Sequence, residues 1–227
     1  AAPDTRWHNG GFFLYDSWDV TSNFTISSGI RYDYFNLKSL ANTFYTKPGE
    51  ADTTVNRALT DGNSYTRQAL TGSLSTMLRF GAMVWVTSWT RGFRMFPPSF
   101  GFRQTGQGVL IPNGLLDPVT ADNFETGLRM RLWPIELNVN AYYTLFSNFQ
   151  HPVFGQYNGD DFIDYNNNGT FEPDERVYIN TANGEAFVTG VEVEFDLNLQ
   201  FIYPDLDGFY LSGGAMYNFG RMQFPDQ

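Results

Sequence analysis

The most specific chemistry in the chain lies in one run, Asp164-Tyr165-Asn166-Asn167-Asn168-Gly169-Thr170-Phe171-Glu172-Pro173-Asp174-Glu175. It fits the calcium-loop pattern D-x-[DN]-x-[DN]-G-x5-E at every constrained position. Calcium is a hard cation that gathers about six to eight oxygens, and this spacing wraps them around one point. Asp164, Asn166 and Asn168 would give side-chain oxygens, Thr170 its carbonyl, Glu172 an oxygen through water, and Glu175 both carboxylate oxygens. Gly169 permits the sharp turn that the pattern needs. No helical periodicity flanks the run, so the expectation is an EF-hand-like loop in which calcium clamps a long connection. The competing reading is a polar Asn/Gly-rich loop that meets the pattern by coincidence.

Three arginines form a second group. Arg91, Arg94 and Arg103 fall near the start of one long polar segment. Guanidinium groups are planar donors suited to an anionic ligand. The plainer reading is hydrated or internally paired arginines, which surfaces carry in number. The two histidines, His8 and His151, have no second His or Cys at metal spacing and read as solvated loop or girdle residues. No Gly-x-Ser-x-Gly, no phosphate-binding glycine loop and no cysteine nucleophile occurs, so no enzyme is expected. Glu192 and Glu194 sit two apart, which lines one face of a strand and does not by itself make an acid–base couple.

These residues need elements to hold them, and the elements read as strands. Phe124, Leu128, Met130 and Leu132 alternate with Glu125, Gly127, Arg129 and Arg131. After a turn at Trp133-Pro134, Leu137, Val139, Ala141, Tyr143 and Leu145 alternate with Asn138, Asn140, Tyr142 and Thr144. Period two means β-strand. The same design predicts strands over about 10–18, 24–33, 66–79, 82–92, 186–199 and 209–219. The 82–92 strand is less regular, because Val84 and Val86 oppose Met83, Trp85 and Trp89. Each arm has about the length that crosses a bilayer when tilted.

Connections between these strands alternate short and long. The long ones cover about 36–65, 93–120 and 147–185, and all fall at one end of the strands. Outer-membrane barrels have this asymmetry, with short periplasmic turns and long extracellular loops. Composition agrees. Charged residues are 17%, below the usual quarter, while aromatics reach 18%. The net charge of −10 argues against a nucleic-acid partner, and the lack of cysteine excludes disulfides. Glu192, Glu194, Asp196, Arg129 and Arg131 need water, so they are expected to line a wet lumen while the apolar rows meet lipid. A soluble antiparallel sheet with one solvated face is the alternative.

The segments Phe12-Phe13-Leu14-Tyr15-Asp16 and Asn23 to Asp33, ending Gly29-Ile30-Arg31-Tyr32-Asp33, resemble a barrel hairpin of the TonB-dependent outer-membrane receptors. Thr90-Arg91-Gly92-Phe93-Arg94 with Pro97-Pro98 is similar to that family's Gly-Phe-Arg-x-Pro stretch. Leu116-Asp117-Pro118 through Asn123-Phe124-Glu125-Thr126-Gly127-Leu128 resembles its Leu-x-Pro-Glu…Asn-Tyr-Glu-x-Gly-Leu pattern. Asn180-Thr181 with Gly190-Val191-Glu192-Val193-Glu194 resembles its Asn-x-Gly…Gly-Val-Glu-x-Glu pattern. The matches come in family order and span most of the chain.

The resemblance implies an all-β fold: an antiparallel transmembrane β-barrel, here a fragment of about eight strands in one domain, residues 1–227, from a barrel of about 22 strands. The plug domain and the segment that contacts TonB are expected to lie outside this sequence, and the last residues do not form the family's closing strand. The resemblance further implies residence in the bacterial outer membrane, contact with lipid and lipopolysaccharide, and uptake of a scarce ligand, most often a ferric siderophore or similar iron chelate. Arg91, Arg94 and Arg103 would then meet that chelate. Two other readings stay open at this point: a passive porin-like or adhesive barrel, and a secreted calcium-binding β-sandwich.

Overall fold

A computed structural model of the chain describes residues 5–39, 64–95, 108–111, 113, 116–164 and 168–224. Within them lies one sheet. Its strands are β1 (Thr5–Thr21), β2 (Phe24–Ser39), β3 (Ser64–Phe80), β4 (Met83–Arg94), β5 (Val109–Ile111), β6 (Val119–Leu132), β7 (Ile135–Phe154), β8 (Val177–Asn198) and β9 (Tyr210–Gln223). The eight long strands pair antiparallel with their neighbours in chain order, β1-β2-β3-β4-β6-β7-β8-β9. β5 is an addition that periodicity did not reveal. It comes from the middle of the second long connection and pairs parallel with the start of β8, Val109 opposite Val177.

Register explains why the rows matter. Leu78 lies opposite Trp85, Trp85 opposite Leu128, Leu128 opposite Val139, Val139 opposite Val193 and Val193 opposite Ala215. One slip of a residue would turn every side chain to the other face. No slip occurs across this stretch, so the apolar rows of neighbouring strands join into one continuous apolar face. The alternate rows join likewise: Ser17 opposite Ser27, Ser27 opposite Ser75, Ser75 opposite Ser88, Ser88 opposite Glu125, Glu125 opposite Tyr142.

The apolar face is uncovered. Phe12, Leu14, Trp18, Ile30, Leu70, Trp85, Phe124, Leu211 and Tyr217 are all exposed, Phe12 at 70% and Tyr217 at 73%. Among the described residues the buried apolar side chains are few: Phe35, Leu37, Ala69, Leu116, Ile163 and Val177. Leu37 and Leu116 form a small core with Tyr65, Met95 and Ala182 near the long-connection end. A soluble sandwich needs its apolar face pressed on a second layer. Among the described residues no such layer exists, and the β-sandwich reading fails on that ground.

Several strands outrun their predicted bounds. β1 starts at Thr5, β7 continues to Phe154, and β8 begins at Val177, so the third long connection shrinks to 155–176. Alternation is imposed by a lipid–water contrast. Where strands rise above the bilayer that contrast ends, yet the backbone ladder still needs partners. β8, with 22 residues, is about twice the length needed to cross. Bulges interrupt β7 between Phe146 and Gln150, with Asn148 at φ 63°. The short connections are Ser22-Asn23, Gly81-Ala82, Trp133-Pro134 and 199–209, all at the opposite end from the long ones.

Candidate functional site

The polar face is a wall whose side chains bond sideways from strand to strand. The Ser17 and Ser27 hydroxyls lie 2.8 Å apart. Thr25 donates to Asp19 at 2.6 Å and receives an Arg79 guanidinium N–H at 3.1 Å. Arg31 grips Asp33 with two N–H groups, at 2.7 and 2.6 Å. Thr144 donates to Asn123, and Asn123 donates to Glu125. The Arg131 guanidinium reaches Glu136 at 2.9 Å, while Arg129 stands 4.0 Å from the same carboxylate. Among the described residues, no Lys or Arg pairs with Glu125, Glu192 or Glu194. The wall therefore presents uncompensated carboxylates.

One bond on this wall depends on a missing side chain. Tyr142 on β7 donates its hydroxyl to Asn218 on β9, across the whole of β8. The residue beneath is Gly190, directly opposite both Tyr142 and Asn218. A Cβ there would stand 2.6 Å from the Tyr142 hydroxyl and 2.4 Å from Asn218 Oδ1. Sequence reading placed Tyr142 on the polar row but did not single out this lock. Its signal was register: an aromatic hydroxyl with a glycine directly opposite.

The arginines separate. Arg91 lies on the apolar face, directly opposite Asp122, in the same rows as Trp89 and Phe124. Its Nε and Nη2 bind the Asp122 carboxylate at 2.8 and 2.6 Å, and Trp89 Nε1 donates to the same Asp122 at 3.0 Å. A charge among aromatic rows is costly unless paired. Asp122, which carried no prediction, neutralises Arg91 there. Arg94 is exposed at the end of β4, opposite Val119. Arg103 lies outside the described residues. Arg67 is the cation that ties the second connection down, with Nε donating to the Leu116 carbonyl at 2.8 Å.

The third connection is folded on itself. Its ends are laced by Ile163 N–H to the Glu175 carbonyl and Val177 N–H to the Asp161 carbonyl, at 2.8 and 2.9 Å. Asp164 takes the N–H groups of Asn168 and Gly169, at 3.1 and 2.8 Å, and Gly169 sits at φ 70°. Asn168 Oδ1 takes the Thr170 N–H at 2.6 Å, and its amide donates to Glu172. Residues 173–175 form one 3-10 turn, opened by Glu172 and Glu175, each accepting the other's backbone N–H. Glu175 is 2% exposed. Asn166 lies outside the described residues. Among the described residues, no three His, Asp or Glu side chains converge.

Arg176 follows, its guanidinium 4.6 Å from the Phe154 ring centre and 5.2 Å from that of Phe171. Val177 is fully buried and is where β5 attaches. Asn113 of the second connection donates to the Asn180 carbonyl at 2.7 Å. His151, expected to be solvated, is instead 7% exposed and packs 4.3 Å from the ring of Phe224. The extension of β7 beyond the predicted strand buries it.

Comparison with known proteins meets this geometry from the outside. Residues 2–226 match the family described as TonB dependent receptor-like, beta-barrel. Comparison with curated proteins returns no match. Among solved structures, the chain is similar to the copper transporter OprC, with TM-score 0.67 and 14% identity, over 99% of this chain and 30% of that one. It is similar to the FrpB iron transporter from Neisseria meningitidis, F3-3 variant, with TM-score 0.64 and 14% identity, over 98% and 27%. It is also similar to the unliganded ferric citrate transporter FecA, with TM-score 0.63 and 15% identity, over 96% and 27%. The chain thus spans less than a third of the length of each of these structures.

Proposed function

Because the chain belongs to the TonB-dependent receptor β-barrel family, we propose that it forms a contiguous section of the wall and outer rim of a receptor that imports a ferric siderophore or similar iron chelate. Barrels of this family sit in the bacterial outer membrane and are transporters rather than enzymes. The observation that carries the reading is the register. A mainly apolar face and a mainly polar face run in register across eight strands, with the long connections at one end. That arrangement suits a sheet with lipid on one side and water on the other.

The roles follow from placement. The apolar face meets the acyl chains of lipid and lipopolysaccharide. Arg6 and Lys38, exposed and directly opposite each other at the long-connection end, suit the phosphates of lipopolysaccharide. The uncompensated Glu125, Glu192 and Glu194 give the lumen a negative wall. Arg94, at the end of β4, and Arg103, in the segment that follows it in sequence, would meet an anionic chelate, whereas Arg91 is committed to Asp122. Energy for release would come through TonB, by a segment outside this sequence. Iron and copper transporters among the similar structures support a metal-chelate cargo.

The test is uptake of a radiolabelled ferric chelate panel by cells carrying the intact receptor. Uptake that stops when TonB is deleted supports the proposal. Uptake indifferent to TonB would establish the passive porin-like or adhesive barrel in its place.

A further inference from the structure

The apolar face is not smooth. A groove of about 540 Å³ crosses it from β3 to β8, a volume within the range of about 300–1,000 Å³ found for small-ligand sites. Register builds it. Thr76, Thr87, Thr126 and Ala141, each directly opposite the next, form the floor. Trp89, Phe124 and Tyr143, paired in the same way one row nearer the long connections, raise a wall above them. The polar atoms at the centre are already spent. Trp85 Nε1 donates to Thr126 Oγ1 at 2.8 Å, the Thr87 and Thr126 hydroxyls lie 3.2 Å apart, and the Trp89 indole N–H is given to Asp122. An occupant of this groove gains by burying apolar surface and has few hydrogen bonds to make, which fits a hydrocarbon chain. Strands of this chain flank the groove on both sides, so its walls do not depend on a neighbour outside the sequence.

Depth and charge say which hydrocarbon. A tilted strand climbs about 2.5 Å per residue along the membrane normal, so Thr126 and Phe124 stand about 17–22 Å above the Trp133 turn, in an apolar band about 25 Å tall. The groove therefore opens into the leaflet on the long-connection side, the extracellular one. Just above it the face turns cationic. One row, followed from strand to strand, reads Arg91, Asp122, Leu145, Phe187, Arg221. Asp122 answers Arg91, through Nε and Nη2. Arg221 is exposed, and among the described residues no carboxylate pairs with it. It follows Phe219 on the same face of β9, and Phe219 lies directly opposite Thr189, which lines the β8 end of the groove. A cation at the top of an apolar face draws an anionic head group, by about 1 kcal/mol per side chain.

We propose that the groove holds one acyl chain of an outer-leaflet lipopolysaccharide molecule, and that Arg221 holds a phosphate of the same molecule. This rests on the reading of the apolar face as the one that meets lipid. It goes further, because it sets one retained molecule apart from the fluid lipid around it. A chain lying in the groove meets protein atoms on its floor and along its wall, so it gains more dispersion contacts than a chain passing a flat face. The head group must be anionic, since a neutral lipid would leave the Arg221 charge unanswered at the edge of the hydrocarbon. Lipopolysaccharide is the anionic, acylated lipid of that leaflet.

The experiment is native mass spectrometry of the intact receptor, extracted from outer membranes in mild detergent and washed, with retained lipopolysaccharide counted per chain. Ala141→Phe fills the groove floor, and Arg221→Gln removes the cation. Ala215→Phe places the same ring on the same face outside the groove and serves as the control. Folding is read from mobility on unheated gels, and Thr76→Leu, which narrows the β3 end of the groove, replaces Ala141→Phe if that variant lacks the folded mobility. The parent and Ala215→Phe should keep one molecule through the wash. Ala141→Phe should lower retention by at least about tenfold, and Arg221→Gln by about fivefold. Equal retention in the parent and Ala141→Phe, or a matching loss in Ala215→Phe, overturns the groove. Equal retention in the parent and Arg221→Gln overturns the phosphate contact. A glycerophospholipid or a protein retained in place of lipopolysaccharide overturns the identity of the occupant. A parent that keeps no lipid overturns the site, while Leu128→Arg, on the same face, still reports separately whether that face meets lipid. Neither cargo nor TonB is present, so the import reading can fail without touching this one.

Discussion

Replacing Gly190 by alanine tests whether the lumen wall is held by the bond that crosses it. The new methyl would stand 2.4 Å from Asn218 Oδ1, 2.6 Å from the Tyr142 hydroxyl and 2.7 Å from Tyr142 Cζ. All three are side-chain atoms, so the strand ladder can persist while Tyr142 swings off β8. Two losses follow. The hydrogen bond to Asn218 is worth about 1 kcal/mol, and the crowding or displacement of a packed ring adds about 1–2 kcal/mol. Gly190→Ala should therefore cost roughly 2–3 kcal/mol. Tyr142→Phe, which keeps the ring and removes the hydroxyl, should cost about 1 kcal/mol. The decisive measurement is Gly190→Ala in a Tyr142→Ala background. With the ring gone, and Asn218 no longer held over Gly190 by its hydroxyl and so free to turn aside, the methyl should be neutral, or stabilising by about 0.4–1 kcal/mol because it stiffens the unfolded chain. The assay is denaturant unfolding of the intact barrel in detergent micelles, followed by tryptophan fluorescence and by mobility on unheated gels. A Gly190→Ala cost that is the same with and without the Tyr142 ring would refute the reasoning.

The remaining predictions concern the two faces. Asp122→Ala leaves Arg91 unpaired beside Trp89 and Phe124 and should destabilise the barrel by about 1 kcal/mol, since the arginine is partly exposed. Arg91→Met with Asp122→Leu, read by the same unfolding assay, should recover most of that; no recovery would mean that the pair does more than neutralise itself. Leu128→Arg, placed in the apolar rows, should cost about 2–4 kcal/mol in lipid vesicles. Glu125→Gln, in the opposite row, should change unfolding by less than about 1 kcal/mol. A reversed order of those two would invert the assignment of the faces.

The strand core of the fold was legible because lipid and water impose opposite demands on alternate residues. Leu128 and Arg129 carry that contrast plainly, and so do Val193 and Glu194. Val84 and Val86 blurred it, yet register places them on the polar face beside Arg129 and Gly127. Legibility ended where the contrast ended. The upper parts of β7 and β8 have no apolar row to announce them, and β5 is a three-residue strand made only by pairing with β8. Of the arginines, sequence spacing grouped Arg91 with Arg94, but alternation alone put it beside Trp89, and its partner, Asp122, is 31 residues distant. Nothing local signals such a pair. In the 164–175 loop, by contrast, the bonds among the described residues join positions close in sequence.

A wall one sheet thick has no interior for its two sides to share. In a globular domain, a substitution at one surface is felt at another through the packed residues between them. Here the neighbours of Leu128 and those of Arg129 are different sets, separated by nothing except backbone. Selection can therefore retune the watery side while the greasy side stays fitted to its membrane, and adaptation to a thinner or thicker bilayer leaves the polar side alone. Tyr142 and Asn218 mark the exception: a change there must be matched two strands away, so those positions should vary together or not at all.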